Sequence, residues 1–160
     1  MRIVEPTQIN NDEYVKYIQA CWDEQLEYYA FAIIDPNAFL ETLIGHAKGL
    51  YLPEGWGAYS TYFCVSDGEI QGAIRVRHQS NDYIENEIGH IGYETRKTCR
   101  RKGVAKFLLM HVKQHVLNEP AYIICRADNI ASRKVIESSG AQYIDSQGEG
   151  EHQRLRYQLN

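Results

Sequence analysis

Between Arg96 and Lys106 stand six basic side chains (Arg96, Lys97, Arg100, Arg101, Lys102 and Lys106) with no acid among them. In an otherwise acidic chain, such a cluster suits a local anionic ligand better than a general affinity for polyanions. Arg100-Arg101-Lys102-Gly103-Val104-Ala105 directly precedes an amphipathic stretch. A helix start offers unpaired N–H groups and about half a positive charge, which suits phosphate. Gly103 lets the backbone turn and approach such a ligand closely. The run is neither Gly-x-x-x-x-Gly-Lys-Ser/Thr nor Gly-x-Gly-x-x-Gly. Just upstream, Glu87, His90 and Glu94 could move protons, because a histidine titrates near neutral pH. His90 fits a base or a satisfied sheet histidine equally well, and Glu87 could act itself or only orient it. His111 and His115 have the helical spacing of zinc ligands but no third ligand, so a polar helix face is expected there and no metal.

Positioning these residues requires an α/β framework. Arg2 to Glu5 reads as a strand, Asp12 to about Tyr29 as a helix, and Asp35-Pro36 opens a second helix through Ile44. Tyr59 to Ser66 and Ile70 to His78 read as strands joined by the Asp67-Gly68 turn, and a further strand is predicted over Tyr83 to Thr95. Val104 to Leu117 is the clearest helix. Ala121 to Arg126 is a short apolar strand, Asn129 to Ser139 a helix stopped by Gly140, and strands follow near Ala141 to Ser146 and His152 to Gln158. The order β-α-α-β-β-β-α-β-α-β-β predicts a mixed, mostly antiparallel sheet with flanking helices. The strand–helix–strand unit from Tyr83 to Arg126 should supply one parallel pair, with the basic loop at its carboxyl end.

Arg100 to Ala105 matches the pattern Gln/Arg-x-x-Gly-x-Gly/Ala. Downstream, Asn129-Ile130-Ala131-Ser132 leads through a helix to Gly140-Ala141, a second signature in the right order. On these two motifs, the chain from about Tyr59 to Tyr143 resembles the GNAT N-acetyltransferase superfamily. Gly89-His90-Ile91-Gly92-Tyr93-Glu94 before the basic run also resembles a bacterial subgroup of it. The resemblance implies a sheet with a splayed parallel strand pair and acetyl-CoA as donor. By the same resemblance, the backbone of Arg100, Arg101, Lys102, Gly103, Val104 and Ala105 would hold the pyrophosphate. The backbone of Tyr93 and Thr95 would pair with the pantetheine arm, and Asn129, Ser132 and Arg133 would lie along the cofactor. The family's frequent acid, a tyrosine four residues before the second glycine, is Ile136 here, which leaves Tyr143, Cys125 and Ser132 as substitutes. The catalytic set expected is His90, Glu87 and Tyr143.

With 160 residues, 44% hydrophobic and 24% charged, the chain fits one globular domain. Within it, residues 1–58 are expected to face the acceptor, 59–146 to bind acetyl-CoA, and 147–160 to form a terminal strand. No apolar run is long enough for a membrane span or a secretory signal, and four scattered cysteines suit a reducing cytoplasm. Residues 1–95 carry 15 acids and 5 bases, residues 96–160 carry 6 and 12. The acidic half leans toward a cationic acceptor, either a small-molecule amine or a peptide amine. Nucleic acid and membrane partners are not expected, and a monomer or homodimer is. The function expected is acetyl transfer from acetyl-CoA to a primary amine by direct attack on the thioester. Its alternative is a catalytically silent acyl-CoA-binding regulator.

Overall fold

The computed structural model describes residues 1–160. Seven strands and four α-helices alternate as the hydrophobic periods predict: β1 (Arg2–Val4), α1 (Asn11–Asp23), α2 (Pro36–Ala47), β2 (Tyr59–Ser66), β3 (Glu69–Arg77), β4 (Ile91–Thr95), α3 (Val104–His115), β5 (Ala121–Arg126), α4 (Ile130–Ser138), β6 (Gln142–Gln147) and β7 (Arg154–Leu159). Local chemistry sets the boundaries. Asn10, Asp35 and Asn129 cap α1, α2 and α4 by accepting backbone N–H groups through their side chains. Asp67 and Gly68 both take positive φ (52° and 81°) and reverse the chain between β2 and β3.

The strands form two antiparallel ladders, β1-β2-β3-β4 and β5-β7-β6. Alternation along β3 and β4 sorts side chains onto two faces. Ile74, Val76 and Ile91 enter a core with Leu108, Leu109 and Val112 of α3 and Ile123 of β5. Ala73 and Ile70 enter a second core with Tyr14, Tyr17 and Ile18 of α1 and Leu40 and Leu43 of α2. The sheet is therefore a partition between two pairs of helices. Gly72 permits the tightest approach, since a Cβ there would stand 2.5 Å from the Glu94 carbonyl oxygen and 3.1 Å from Val104 Cγ1.

Two predicted elements differ. The helix expected to reach Tyr29 ends at Asp23, with Gln25 at φ 60°, and only a short 3-10 turn follows over Glu27–Tyr29. The strand expected from Tyr83 begins only at Ile91, because Ile84–Ile88 is a π-helical turn. Asn81 explains the latter, as its side chain accepts the Ile84 N–H at 2.8 Å and starts the coil.

Candidate active site

β4 and β5 meet only at their starts. The His90 N–H donates to the Tyr122 carbonyl at 2.7 Å, and His90 Nδ1 accepts the Tyr122 N–H at 3.1 Å. Both strands run away from that joint in the same direction and share no ladder beyond it. In the β3–β4 register, Arg77 pairs with the His90 carbonyl and Arg96 with the Gln71 carbonyl. By the antiparallel alternation, Gly92 and Glu94 also spend their backbone groups on β3. Those of Ile91, Tyr93 and Thr95 face the gap, an open strand edge.

That edge leads to the start of α3. Arg101 (φ 63°) and Gly103 (φ 82°) are both left-handed, and no side chain caps the helix. The first helical bond is Phe107 N–H to the Gly103 carbonyl at 2.9 Å, so the amides of Val104, Ala105 and Lys106 have no helical partner. Nothing lies within 4 Å of where a Gly103 Cβ would stand. Consecutive outward amides beside left-handed residues form an anion-binding concavity. Arg101, Lys102 and Lys106 are exposed around it without ion pairs. Arg100 faces elsewhere: its Nε donates to the Thr95 carbonyl at 3.2 Å and its Nη2 pairs with Glu24 of the α1 C-cap. Arg96 pairs with Glu13 at 3.3 Å. Of the basic run, these two arginines anchor the loop, and the unpartnered amides of Val104, Ala105 and Lys106 stand among the remaining cations.

Across the gap, Tyr93 reaches α4, where its hydroxyl lies 2.8 Å from Ser132 Oγ. Burial pushes the Tyr93 hydroxyl up to about 12. Asn129 Oδ1 accepts the Ser132 N–H at 3.0 Å, and Arg133 Nη1 donates to the Ala127 carbonyl at 3.3 Å, fixing the β5–α4 turn. Cys125 lies near the end of β5, and burial raises its thiol pKa. Ile136 is fully buried in the core.

The proposed proton-transfer residues do not converge. His90 is 8% exposed and uses both nitrogens, Nδ1 for Tyr122 and Nε2 for Ser80 Oγ at 3.1 Å. Since a backbone N–H can only donate, Nδ1 is the acceptor and Nε2 carries the proton. Burial lowers the His90 pKa from its ordinary 6.5. Glu87 sits on the π-helical turn instead of a strand, exposed and paired with Arg154 at 2.8 Å. Tyr143 is 55% exposed on β6, which β7 separates from β5. Glu94 does face the α1 side, but Arg75, Tyr17 and Tyr29 already donate to its oxygens.

A family model described as the acetyltransferase (GNAT) family matches residues 5–141. The chain belongs to the GNAT acetyltransferase family. Solved structures of similar fold agree with this GNAT assignment. RimL, a ribosomal alpha-N-protein acetyltransferase in complex with coenzyme A, is 17% identical, with TM-score 0.65 over 98% of this chain and 90% of its own. Mycobacterium smegmatis RimJ, with a CoA-disulfide, is 13% identical, with TM-score 0.66 over 94% and 78%. Campylobacter jejuni N-acetyltransferase PseH, with acetyl coenzyme A, is 14% identical, with TM-score 0.61 over 99% and 97%. No curated protein matches the chain significantly. No helix of this GNAT chain is long and apolar enough to cross a membrane.

Arg75 and Arg77, to which the sequence reading gave no role, lie with Tyr28, Tyr29 and Tyr59 on or against the face of β3 and β4 that α1 and α2 cover. Arg75 stacks over Tyr28 at 4.1 Å and Arg77 over Trp56 at 4.9 Å. The alternation of Arg75 and Arg77 with Ile74 and Val76 was the available signal.

Proposed function

We propose that the protein is an acetyl-CoA-dependent N-acyltransferase that delivers an acetyl group to a primary amine by direct attack on the thioester. One observation carries this reading: the unpaired edge of β4 runs directly into an uncapped, cation-flanked helix start. An extended arm ending in a pyrophosphate fits that continuity, and the open space at Gly103 fits a close phosphate. Bound there, acetyl-CoA supplies an activated acetyl thioester. Arg101, Lys102, Gly103, Val104, Ala105 and Lys106 hold the phosphates, the edge of Tyr93 and Thr95 holds the arm, and Asn129, Ser132 and Arg133 shape its far wall. Arg100 acts through the loop it anchors.

Amides on the free edge of β4 donate to the oxyanion that forms on attack. The Tyr93 hydroxyl, steadied by Ser132, hydrogen-bonds the departing sulfur. A thiol ionises near 8.5, well below Tyr93, so the tyrosine steadies the charge as a donor without giving up its proton outright. Gly92 opens toward α1 and α2 with nothing within 4 Å of a would-be Cβ, and the amine approaches there. His90, with both nitrogens engaged, sets the strand divergence, and the amine releases its proton to solvent before attack. Titration calorimetry with acetyl-CoA, desulfo-CoA and ATP tests the donor site. Micromolar binding of both CoA ligands with much weaker ATP is expected, and no CoA binding would end this reading. The buried Ile136 keeps a second reading in view, an acyl-CoA-binding regulator, which binding without turnover on a broad amine panel would establish.

A further inference from the structure

Three acids of the first half, Glu13, Glu24 and Glu94, spend their charge on arginines of this chain. Glu13 pairs with Arg96 and accepts the Ile70 N–H at 3.1 Å. Glu24 pairs with Arg100 and accepts the Lys97 N–H at 2.8 Å. Glu94 is held by Arg75. On the cleft side of β3 the cations are Arg75 and Arg77, and their situations differ. Arg75 has the Glu94 carboxylate. Arg77 has no carboxylate partner: Nη1 donates to the Gly89 carbonyl at 3.0 Å, Nε is buried with no partner, and Nη2 makes no hydrogen bond. Its plane lies over Trp56, a weak substitute for a counter-ion. Burial, then the neighbouring Arg75, push its pKa down to about 10.

A half-buried guanidinium without an anion is costly, and proteins seldom keep one unless something arrives to pair with it. Its position indicates what arrives. Gly89 immediately precedes His90, and a Cβ on Gly89 would stand 3.0 Å from the Ile124 amide of β5. The guanidinium thus sits at the apex of the strand gap, on the same face as the open position at Gly92. Three residues of extended chain separate Gly89 from Gly92, roughly 10 Å.

Building on the acetyltransferase reading, we propose that the acceptor is a small amine bearing a carboxylate or phosphate, whose oxyanion pairs with Arg77 beside Trp56 while its amine lies over Gly92. A guanidinium fork matches either oxyanion through paired N–H donors. The span asks for a spacer of several bonds between amine and anion.

The test compares ω-amino carboxylates and aminoalkyl phosphates with alkylamines and diamines of matched length, for wild type, R77M and R77K. Each amine is measured for turnover and, with CoA present, for binding by calorimetry; acetyl-CoA binding is measured separately. Wild type should favour one anionic series over alkylamines and diamines at least tenfold, and the two series distinguish carboxylate from phosphate. R77M should lose that preference while acetyl-CoA affinity stays within twofold. R77K should keep the preference with weaker binding, which carries the test if R77M does not fold. Equal or better use of diamines, or R77M lowering all amines alike, would overturn the proposal. Arg77-dependent binding of anionic amines without turnover would uphold it while removing the acetyl-transfer reading.

Discussion

The imidazole of His90 takes the place of a backbone carbonyl opposite Tyr122. In a continuous parallel ladder the Tyr122 N–H would bond to the carbonyl two residues before His90, that of Ile88; here it bonds to His90 Nδ1 at 3.1 Å. The side chain satisfies the Tyr122 amide at the joint where β4 and β5 meet, and no ladder joins the two strands beyond it.

Removing that imidazole should therefore act on structure before chemistry. His90→Ala leaves the Tyr122 N–H unpaired at a buried joint and should cost roughly 1–3 kcal/mol of stability. It should also weaken acetyl-CoA binding several-fold, because the gap loses its fixed origin. In the surviving fraction, the pH profile of kcat/KM should keep the wild-type shape. Melting curves and calorimetry measure the first two effects, and an inflection below pH 6.5 that is lost in the variant would show His90 to be a base after all.

Stability should fall on mild acidification. Burial lowers the pKa of both His90 and His46 below the ordinary 6.5. The unfolded chain then binds protons near pH 6.5 that the folded chain refuses. Their contribution is complete above about pH 6.5 and is lost as pH drops below it. Denaturation midpoints from pH 7.5 to 5 should show the decline, and His46→Gln should flatten it. A midpoint unchanged over that range would refute the assignment.

Tyr93→Phe keeps the ring and loses the donor. Turnover should fall by roughly 10- to 100-fold, short of the largest general-acid effects, while acetyl-CoA affinity changes less than threefold. Ser132→Ala should give a smaller loss in the same direction. Equal losses in affinity and turnover would assign the pair to binding alone.

Two glycines should separate folding from binding. Gly72→Ala forces a Cβ against the Glu94 carbonyl, 2.5 Å away, and should destabilise by roughly 1–3 kcal/mol as overpacking does. Gly103→Glu meets no atom within 4 Å, but its carboxylate would stand where phosphates bind and its φ of 82° disfavours a side chain. It should abolish CoA binding with a smaller loss of stability than Gly72→Ala. Calorimetry beside urea unfolding distinguishes them.

The residues legible in advance were those whose role is local. Val104, Leu108 and Val112 share a helical stripe, Asp67-Gly68 dictates a turn, and Gly103 with its cations announces a helix start ready for an anion. Residues 83–90 read as a strand because apolar side chains flank the turn. The spacing of Ile84 and Ile88, with Asn81 three residues earlier as a cap, was the competing helical signal. Arg75, Tyr17 and Tyr29 gather on Glu94 from three separate segments, and no spacing rule connects them to it. The Glu24 partner of the Arg100 guanidinium lies 76 residues away, beyond the reach of any local pattern.

Glu24 grips the donor-side loop twice, through the Lys97 amide and the Arg100 guanidinium, and Glu13 holds Arg96. On the proposed reading, the helix that would roof the acceptor is thus the buttress of the loop that would receive the donor. Exchanging α1 for the corresponding helix of a relative, as a shortcut to new acceptors, would unfasten the phosphate cradle unless carboxylates came along at both positions. On that reading the two substrate sides would not be separable modules, and changes in α1 would be constrained by a ligand that the helix itself does not hold.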